Sequence, residues 1–235
     1  MKLRAAASLA IWMILTSSLW ADSTTSHPVV IELFTSQGCS SCPPADKLLH
    51  DLTGRPDVIP LALHVDYWDY IGWEDSFARA ENTLRQRKYA RAGGRKMIYT
   101  PQIIVNGQQD IAGGNAMKLA DAIALHKAEP SRVSLRAGRD DDILSIQAET
   151  LAPVAAPLTV LVVRYTPLQS VTITRGENAG HTIDYANVVD EMTVVGHWDG
   201  GAPLSLSAQM GGSKPAAVLL QYPGPGAIVA AARVD

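Results

Sequence analysis

The sequence predicts an α/β N-terminal half followed by an all-β, sandwich-like C-terminal half, and three observations carry that prediction. Up to about residue 130, apolar strand-like runs alternate with helical periodicity. Beyond it, short alternating strands separated by turn residues take over. The chain's two cysteines sit together where the first strand ends. At 235 residues, 47% hydrophobic and 18% charged, the composition is that of a globular chain able to build a packed core without disulfide staples. A formal net charge of −3 gives no footprint for nucleic acid or a membrane surface.

The first residues read as a separate unit. Lys2 and Arg4 precede an apolar run from Ala5 to Leu15, followed by Thr16-Ser17-Ser18-Leu19-Trp20-Ala21, the pattern of a secretory signal peptide cleaved after Ala21. The run is short for spanning a bilayer, and no cysteine stands at the cleavage point to take a lipid. Residues 1–21 are therefore assigned to the signal peptide. The mature chain is expected in the periplasm or outside the cell, with no membrane contact, where a cysteine pair can be held as a disulfide.

After a polar lead, residues 22 to 28, the first strand is expected from about Val29 to Phe34, an apolar run broken only by Glu32. Pro43 and Pro44 lack an N–H and fit only a first helical turn, so a helix should start around Cys42 and close at Gly54. A second strand from about Pro60 to Val65 leads into an aromatic and acidic loop, Asp66 to Asp75. The next helix is expected from Asp75 or Ser76 to Ala92, with Phe77, Ala80 and Leu84 on its inner face and Arg79, Arg85, Arg87, Lys88 and Arg91 elsewhere. Thr100-Pro101 opens a hairpin turning at Asn106-Gly107. A third helix follows, with a stripe of Ala116, Leu119, Ala120, Ile123 and Lys127, stopped by Glu129-Pro130. Strand, helix, strand, helix, hairpin, helix, with the cysteine pair after the first strand, is the order of a thioredoxin core, assigned to residues 27–130. Its parallel strands would place chemistry at their carboxyl ends, where Cys39 lies.

Residues 131–235 change texture. Short strands are expected around Val133 and Leu135, Leu144 to Ala148, Leu158 to Val163, and Val171 and Ile173, with turns at Gly138-Arg139-Asp140, Gly176 to Gly180, Asp199-Gly200-Gly201, Gly211-Gly212 and Pro223 to Gly226.

The chemistry rests on Gly38-Cys39-Ser40-Ser41-Cys42-Pro43. Two residues between cysteines at a helix start is the spacing of thiol–disulfide exchange: the helix N-terminus should stabilise a Cys39 thiolate and present its sulfur to solvent, while Cys42 waits behind it. Two other readings stand beside it. A structural disulfide gains little from so small a ring, about 2 kcal/mol in a chain-entropy estimate. Half a zinc site needs two further closely spaced ligands, which no histidine pair supplies. No cofactor beyond the redox-active pair is expected, no metal, and as partners only protein or peptide thiols and disulfides with an unidentified redox partner. The alternative from another class is a non-catalytic binding module whose disulfide is structural.

The motifs Ile31-Glu32-Leu33-Phe34-Thr35-Ser36-Gln37-Gly38-Cys39, His64-Val65-Asp66-Tyr67-Trp68-Asp69, Gly72-Trp73, Tyr99-Thr100-Pro101-Gln102 and Arg175 to Gly180 occur in that order. With them the chain resembles the secreted bacterial thioredoxin-like proteins catalogued as a domain of unknown function, over nearly all of the mature length. The resemblance implies a thioredoxin-like fold with a β-rich tail and supplies no substrate. It also implies that Pro101 is held cis opposite the cysteines, where it shapes a substrate groove bordered by Thr100. Trp68, Trp73, Tyr67 and Tyr70 are read from the sequence as lining that groove, with core and domain-interface packing as the other reading. Glu32 would stand near the buried acid that takes the second cysteine's proton in thioredoxins, or else be satisfied by an ion pair. His64, in an apolar strand, reads as a satisfied core histidine.

Overall fold

The computed structural model describes residues 27–155 and 157–234. The signal-peptide assignment lies outside them. Eleven strands and three α-helices make up the described chain: β1 (Val29–Thr35), α1 (Pro43–Asp51), β2 (Val58–His64), α2 (Ala80–Ala92), β3 (Gln102–Val105), β4 (Gln109–Ala112), α3 (Ala116–Ala128), β5 (Val133–Asp140), β6 (Ile143–Thr150), β7 (Leu158–Thr172), β8 (Thr182–Trp198), β9 (Leu204–Gln209), β10 (Ala216–Gln221) and β11 (Ile228–Val234). A 3-10 turn covers Asp69–Ile71.

The strands form one mixed eight-stranded sheet, ordered β11-β10-β7-β8-β2-β1-β3-β4, and a separate antiparallel sheet, β5-β6-β9. β1 and β2 run parallel through the α1 crossover, with β3 antiparallel on the far side of β1. The second half of the chain joins the first within the same sheet, where β8 meets β2 in parallel at Ala62 and Val188. β7 and β8 are longer than the short strands expected from sequence. The run at Leu158 continues without a break to Thr172, because β8 pairs with it along its whole length through two irregularities in register.

Strand alternation assigns the two faces. Val29, Ile31 and Leu33 of β1 pack with Ala45 and Leu49 of α1, its C-cap Leu52, and Leu119, Ala122 and Ile123 of α3. Val30 and Phe34 pack on the opposite face with Ile59, Leu61, Leu63 and Tyr89 of α2. The small sheet covers Leu158, Val160, Val162, Val218 and Leu220 with Leu135, Leu144 and Ile146. Each such buried aliphatic side chain contributes about 1.5–3 kcal/mol.

Two helices differ from the sequence expectation. α2 starts at Ala80, because the Asp75 carboxylate accepts the Phe77 N–H and the Arg79 N–H goes to the His64 carbonyl, making residues 75–79 a turn. Its inner face is polar: Asn82, Thr83, Gln86, Tyr89 and Ala90 are buried, while Leu84 is 49% exposed. Hydrogen bonds from Asn82 to the His64 carbonyl and from Gln86 to the Tyr99 carbonyl replace the expected apolar contacts. In α3 the buried stripe is Leu119, Ala122, Ile123 and His126, rotated from the expected one, so Ala116, Ala120 and Lys127 face solvent.

Candidate functional site

The cysteines lie on the loop leaving the carboxyl end of β1. They are joined in a disulfide with Cα atoms 5.4 Å apart. Cys42 is the N-cap of α1, and Pro43 and Pro44 fill its first two positions. This corrects the electrostatic expectation for Cys39. The prolines have no N–H, and the next two amides, of Ala45 and Asp46, both donate to the Cys42 carbonyl. No first-turn amide is left to aim at Cys39, which sits one turn earlier, its own N–H given to Ser36. Nor does Cys39 present its sulfur to solvent: both cysteines are fully buried, and only Ser40 and Ser41 between them are exposed. The Ser41 hydroxyl lies 3.4 Å from Cys39 Sγ.

Gln37 anchors this loop through every polar group it has. Its amide N–H donates to Asp75 at 2.8 Å, its side-chain oxygen accepts from Trp73 Nε1 at 2.8 Å, its side-chain nitrogen reaches Ser76, and its carbonyl accepts from Asn178 at 2.9 Å. Asn178 Nδ2 also donates to the Cys39 carbonyl at 3.0 Å. Asn178 lies in the turn joining β7 to β8, so the second half of the chain grips the cysteine loop directly. Gly38 permits the aromatic loop to close on the same backbone: a Cβ there would meet Ile71 Cδ1 and Trp68 Cβ at 3.2 Å.

The structure brings most of the sequence-predicted groove residues to this end of the sheet. The Thr100–Pro101 bond is cis, and β3 begins immediately after it, opposite Phe34 of β1. Trp68 Nε1 donates to Thr100 Oγ1 at 2.7 Å, and the half-buried Trp68 stacks on the exposed Tyr70. Glu32 is placed elsewhere. Alternation along β1 turns it to the α2 face, with Val30 and Phe34, while α1 and its cysteines cover the other face. There Arg85 Nε donates to Glu32 Oε1 at 2.6 Å, the Tyr89 hydroxyl donates to Oε2, and Gln221 of β10 bonds both Arg85 and Tyr89. Arg85, read from sequence as part of a solvated basic face, is thus the partly buried ion-pair partner of Glu32.

A different buried polar group lies on the α1 face. Asp46, one helical turn after Cys42, is buried. Burial raises its pKa to about 7, opposed by the charge of His64 and by Thr35 and assisted by Asp75. His64, at the end of β2, shares a 2.7 Å hydrogen bond through Nδ1 with Asp75, and both side chains are fully enclosed. Burial alone would raise Asp75, but the His64 charge and the bonds from His64, Gln37 and Phe77 outweigh it, and its pKa is lowered. The Tyr185 ring of β8 meets the His64 ring edge-on, centroids 4.8 Å apart. Burial, then the charges of Asp46 and Asp75, raise the Tyr185 pKa.

Sequence reasoning missed Gln37, Asp46, Asp75, Asn178 and Tyr185. One signal was available: an aspartate four residues after Cys42 on an otherwise apolar helical face, Ala45, Leu49 and Leu52. Among the described residues, no group of three or more His, Cys, Asp or Glu side chains is placed to hold a metal ion.

A family model described as a protein of unknown function, DUF1223, matches residues 30–221. A protein of Agrobacterium tumefaciens with a crystal structure is similar at 36% identity over 87% of this chain and 92% of that one, with a TM-score of 0.76. HBP35 of Porphyromonas gingivalis, at 11% identity over 88% of this chain and 74% of that one and a TM-score of 0.56, is alike in fold alone. No curated protein matches the chain.

Proposed function

The chain belongs to the DUF1223 family of proteins of unknown function, and from its cysteine site we propose that it is a thioredoxin-like thiol–disulfide oxidoreductase of the periplasm or cell exterior. The observation that carries this reading is the Cys39–Cys42 disulfide at the β1–α1 junction of a parallel β1-α1-β2 unit, at the carboxyl ends of the strands. The secretory reading of residues 1–21 supports the compartment, where such a pair can cycle through oxidised forms.

In the reducing direction, the Cys39 thiolate attacks one sulfur of a substrate disulfide. A Cys39–substrate mixed disulfide forms and the other substrate sulfur leaves as a thiolate. Cys42 then loses its proton and attacks Cys39 Sγ, closing the Cys39–Cys42 bond and expelling the second substrate thiolate. Two electrons pass from the pair to the substrate. In the oxidising direction a substrate thiolate attacks Cys39 of the disulfide and the same steps run backwards. The Ser41 hydroxyl is the nearest side-chain donor to a Cys39 thiolate.

One observation favours a second reading, a non-catalytic scaffold with a structural disulfide: both cysteines are fully buried in the oxidised state. Exchange at Cys39 therefore requires the aromatic loop or the Asn178 turn to lift. The reduction potential of the pair separates the readings. A value between about −120 and −270 mV is expected for the oxidoreductase. A value below about −300 mV, with no reduction of insulin, would establish the inert disulfide instead.

A further inference from the structure

The α1 face behind the cysteines holds an unusual concentration of unsatisfied buried polar atoms. Thr35 Oγ1, both carboxylate oxygens of Asp46, Nε2 of His64 and the Tyr185 hydroxyl have no hydrogen-bond partner among the described residues. Each of these side chains is at least nine-tenths buried. Leaving one such group unpaired costs about 1–3 kcal/mol, so this many in one place calls for a shared partner. They converge from four elements: Thr35 from β1, Asp46 from α1, His64 from β2 and Tyr185 from β8. Thr35, His64 and Asp75 all act on the Asp46 carboxyl, and Asp46 and Asp75 act on Tyr185.

The donor and acceptor inventory fits a buried water. With His64 Nδ1–H donating to Asp75 and the ring carrying the charge that acts on Asp46, Nε2–H is a second donor, and the Asp46 oxygens are acceptors. A water can donate to Asp46 while accepting from His64 Nε2–H and from the Tyr185 hydroxyl, three bonds being typical of such a site. Cys42 and Asp46 are one helical turn apart and both turned inward, a spacing of about 5–6 Å between Cβ atoms. A single water is the right size to bridge such a gap.

We propose that Asp46, acting through a buried water held by His64 and Tyr185, is the proton carrier of the cysteine pair, with the His64–Asp75 dyad as its positioning element. The proposal rests on the oxidoreductase reading and assigns the step that reading leaves open. When Cys42 resolves the mixed disulfide, its S–H proton passes to the Asp46 carboxylate and the Cys42 thiolate attacks Cys39 Sγ. When the pair is reduced again, protonated Asp46 returns the proton to the departing Cys42 sulfur. The titratable groups facing Asp46 are Cys42 on its own helix, His64 and Asp75 from the β2 side, and Tyr185 from β8. The His64 charge keeps the carboxyl usable near neutral pH, since without it burial and Asp75 both push the pKa upward.

The test is the reaction of the reduced full-length mature protein with dithiobis(nitrobenzoate), followed by stopped-flow absorbance. One thionitrobenzoate is released when Cys39 attacks, and a second when Cys42 resolves the mixed disulfide. In the wild type the second phase should accelerate with pH and level off above about pH 7, the Asp46 value. In Asp46→Asn it should be at least tenfold slower relative to the first phase at pH 7, and should keep rising about tenfold per pH unit toward the thiol's own ionisation. In His64→Gln the levelling-off should move to higher pH. A second phase with unchanged rate and pH profile in Asp46→Asn overturns the proposal. If that variant does not fold, an unchanged profile in both His64→Gln and Tyr185→Phe overturns it equally. Absence of the first phase in the wild type overturns the oxidoreductase reading itself, and this assignment with it.

Discussion

Two buried acids lie on opposite faces of the same sheet, and their surroundings could hardly differ more. Glu32, under α2, is closed in by Arg85, Tyr89 and Gln221, with each partner satisfied in turn. Asp46, under the cysteines and beside Thr35, has no partner within hydrogen-bonding geometry for either oxygen among the described residues. Charge and burial alone do not distinguish them. A carboxylate held by a matched cation and a tyrosine hydroxyl, both tied in turn to Gln221, works as a joint between β1, α2 and β10. A carboxyl left half-satisfied beside a histidine can change its proton, at the cost of stability.

The contrast is broken most forcefully at Glu32. Replacing it with glutamine leaves the Arg85 guanidinium buried without its counter-charge and should cost about 3–5 kcal/mol in urea unfolding. The paired replacement Glu32→Leu with Arg85→Met should recover most of that loss, because no uncompensated charge remains. Recovery of none of it would show that the hydrogen bonds, and not the charge pairing, hold α2 to the sheet.

Asp46→Asn should act in the opposite direction and only in part of the pH range. Between about pH 4 and 7 the folded protein keeps a proton on Asp46 that the unfolded chain has lost, so wild-type stability falls as pH rises through that window and is level above it. The asparagine variant lacks this loss. It should be more stable than the wild type at pH 8 by up to about 4 kcal/mol, a ceiling set by a shift of roughly three units, and equal to it near pH 4. Chemical denaturation at the two pH values reads the difference. Equal stability at pH 8 would mean that Asp46 titrates normally.

Asn178→Ala removes both side-chain hydrogen bonds from the β7–β8 turn to the cysteine loop. About 1–3 kcal/mol of stability should go, and dithiothreitol should reduce the disulfide faster. Unaltered reduction kinetics would place the barrier to Cys39 in the aromatic loop. The smallest effect is expected from Trp68→Phe, which keeps an aromatic ring, though a smaller one, and deletes the bond to Thr100, at about 1 kcal/mol in thermal unfolding.

The sequence by itself determined the pieces whose causes are local. Apolar runs placed β1 and β2, the prolines after Cys42 placed the start of α1, Asn106-Gly107 placed the β3–β4 turn, and the cysteine spacing marked the pair that forms the disulfide, because each depends on a few adjacent residues. Periodicity was less reliable where a helix is held by hydrogen bonds: the inner face of α2 is made of Asn82, Thr83 and Gln86, which no hydrophobic pattern reveals. Tertiary structure alone decided the surroundings of the site. Whether Glu32 or Asp46 stands behind the cysteines follows from which face of β1 carries α1. Asn178 reaches Cys39 across 139 positions of sequence, and Tyr185 reaches His64 because β8 adds to the edge of β2. Local spacing specifies which side chains an element offers, whereas the partners they meet are set by strand order and face, which arise only when distant strands pair.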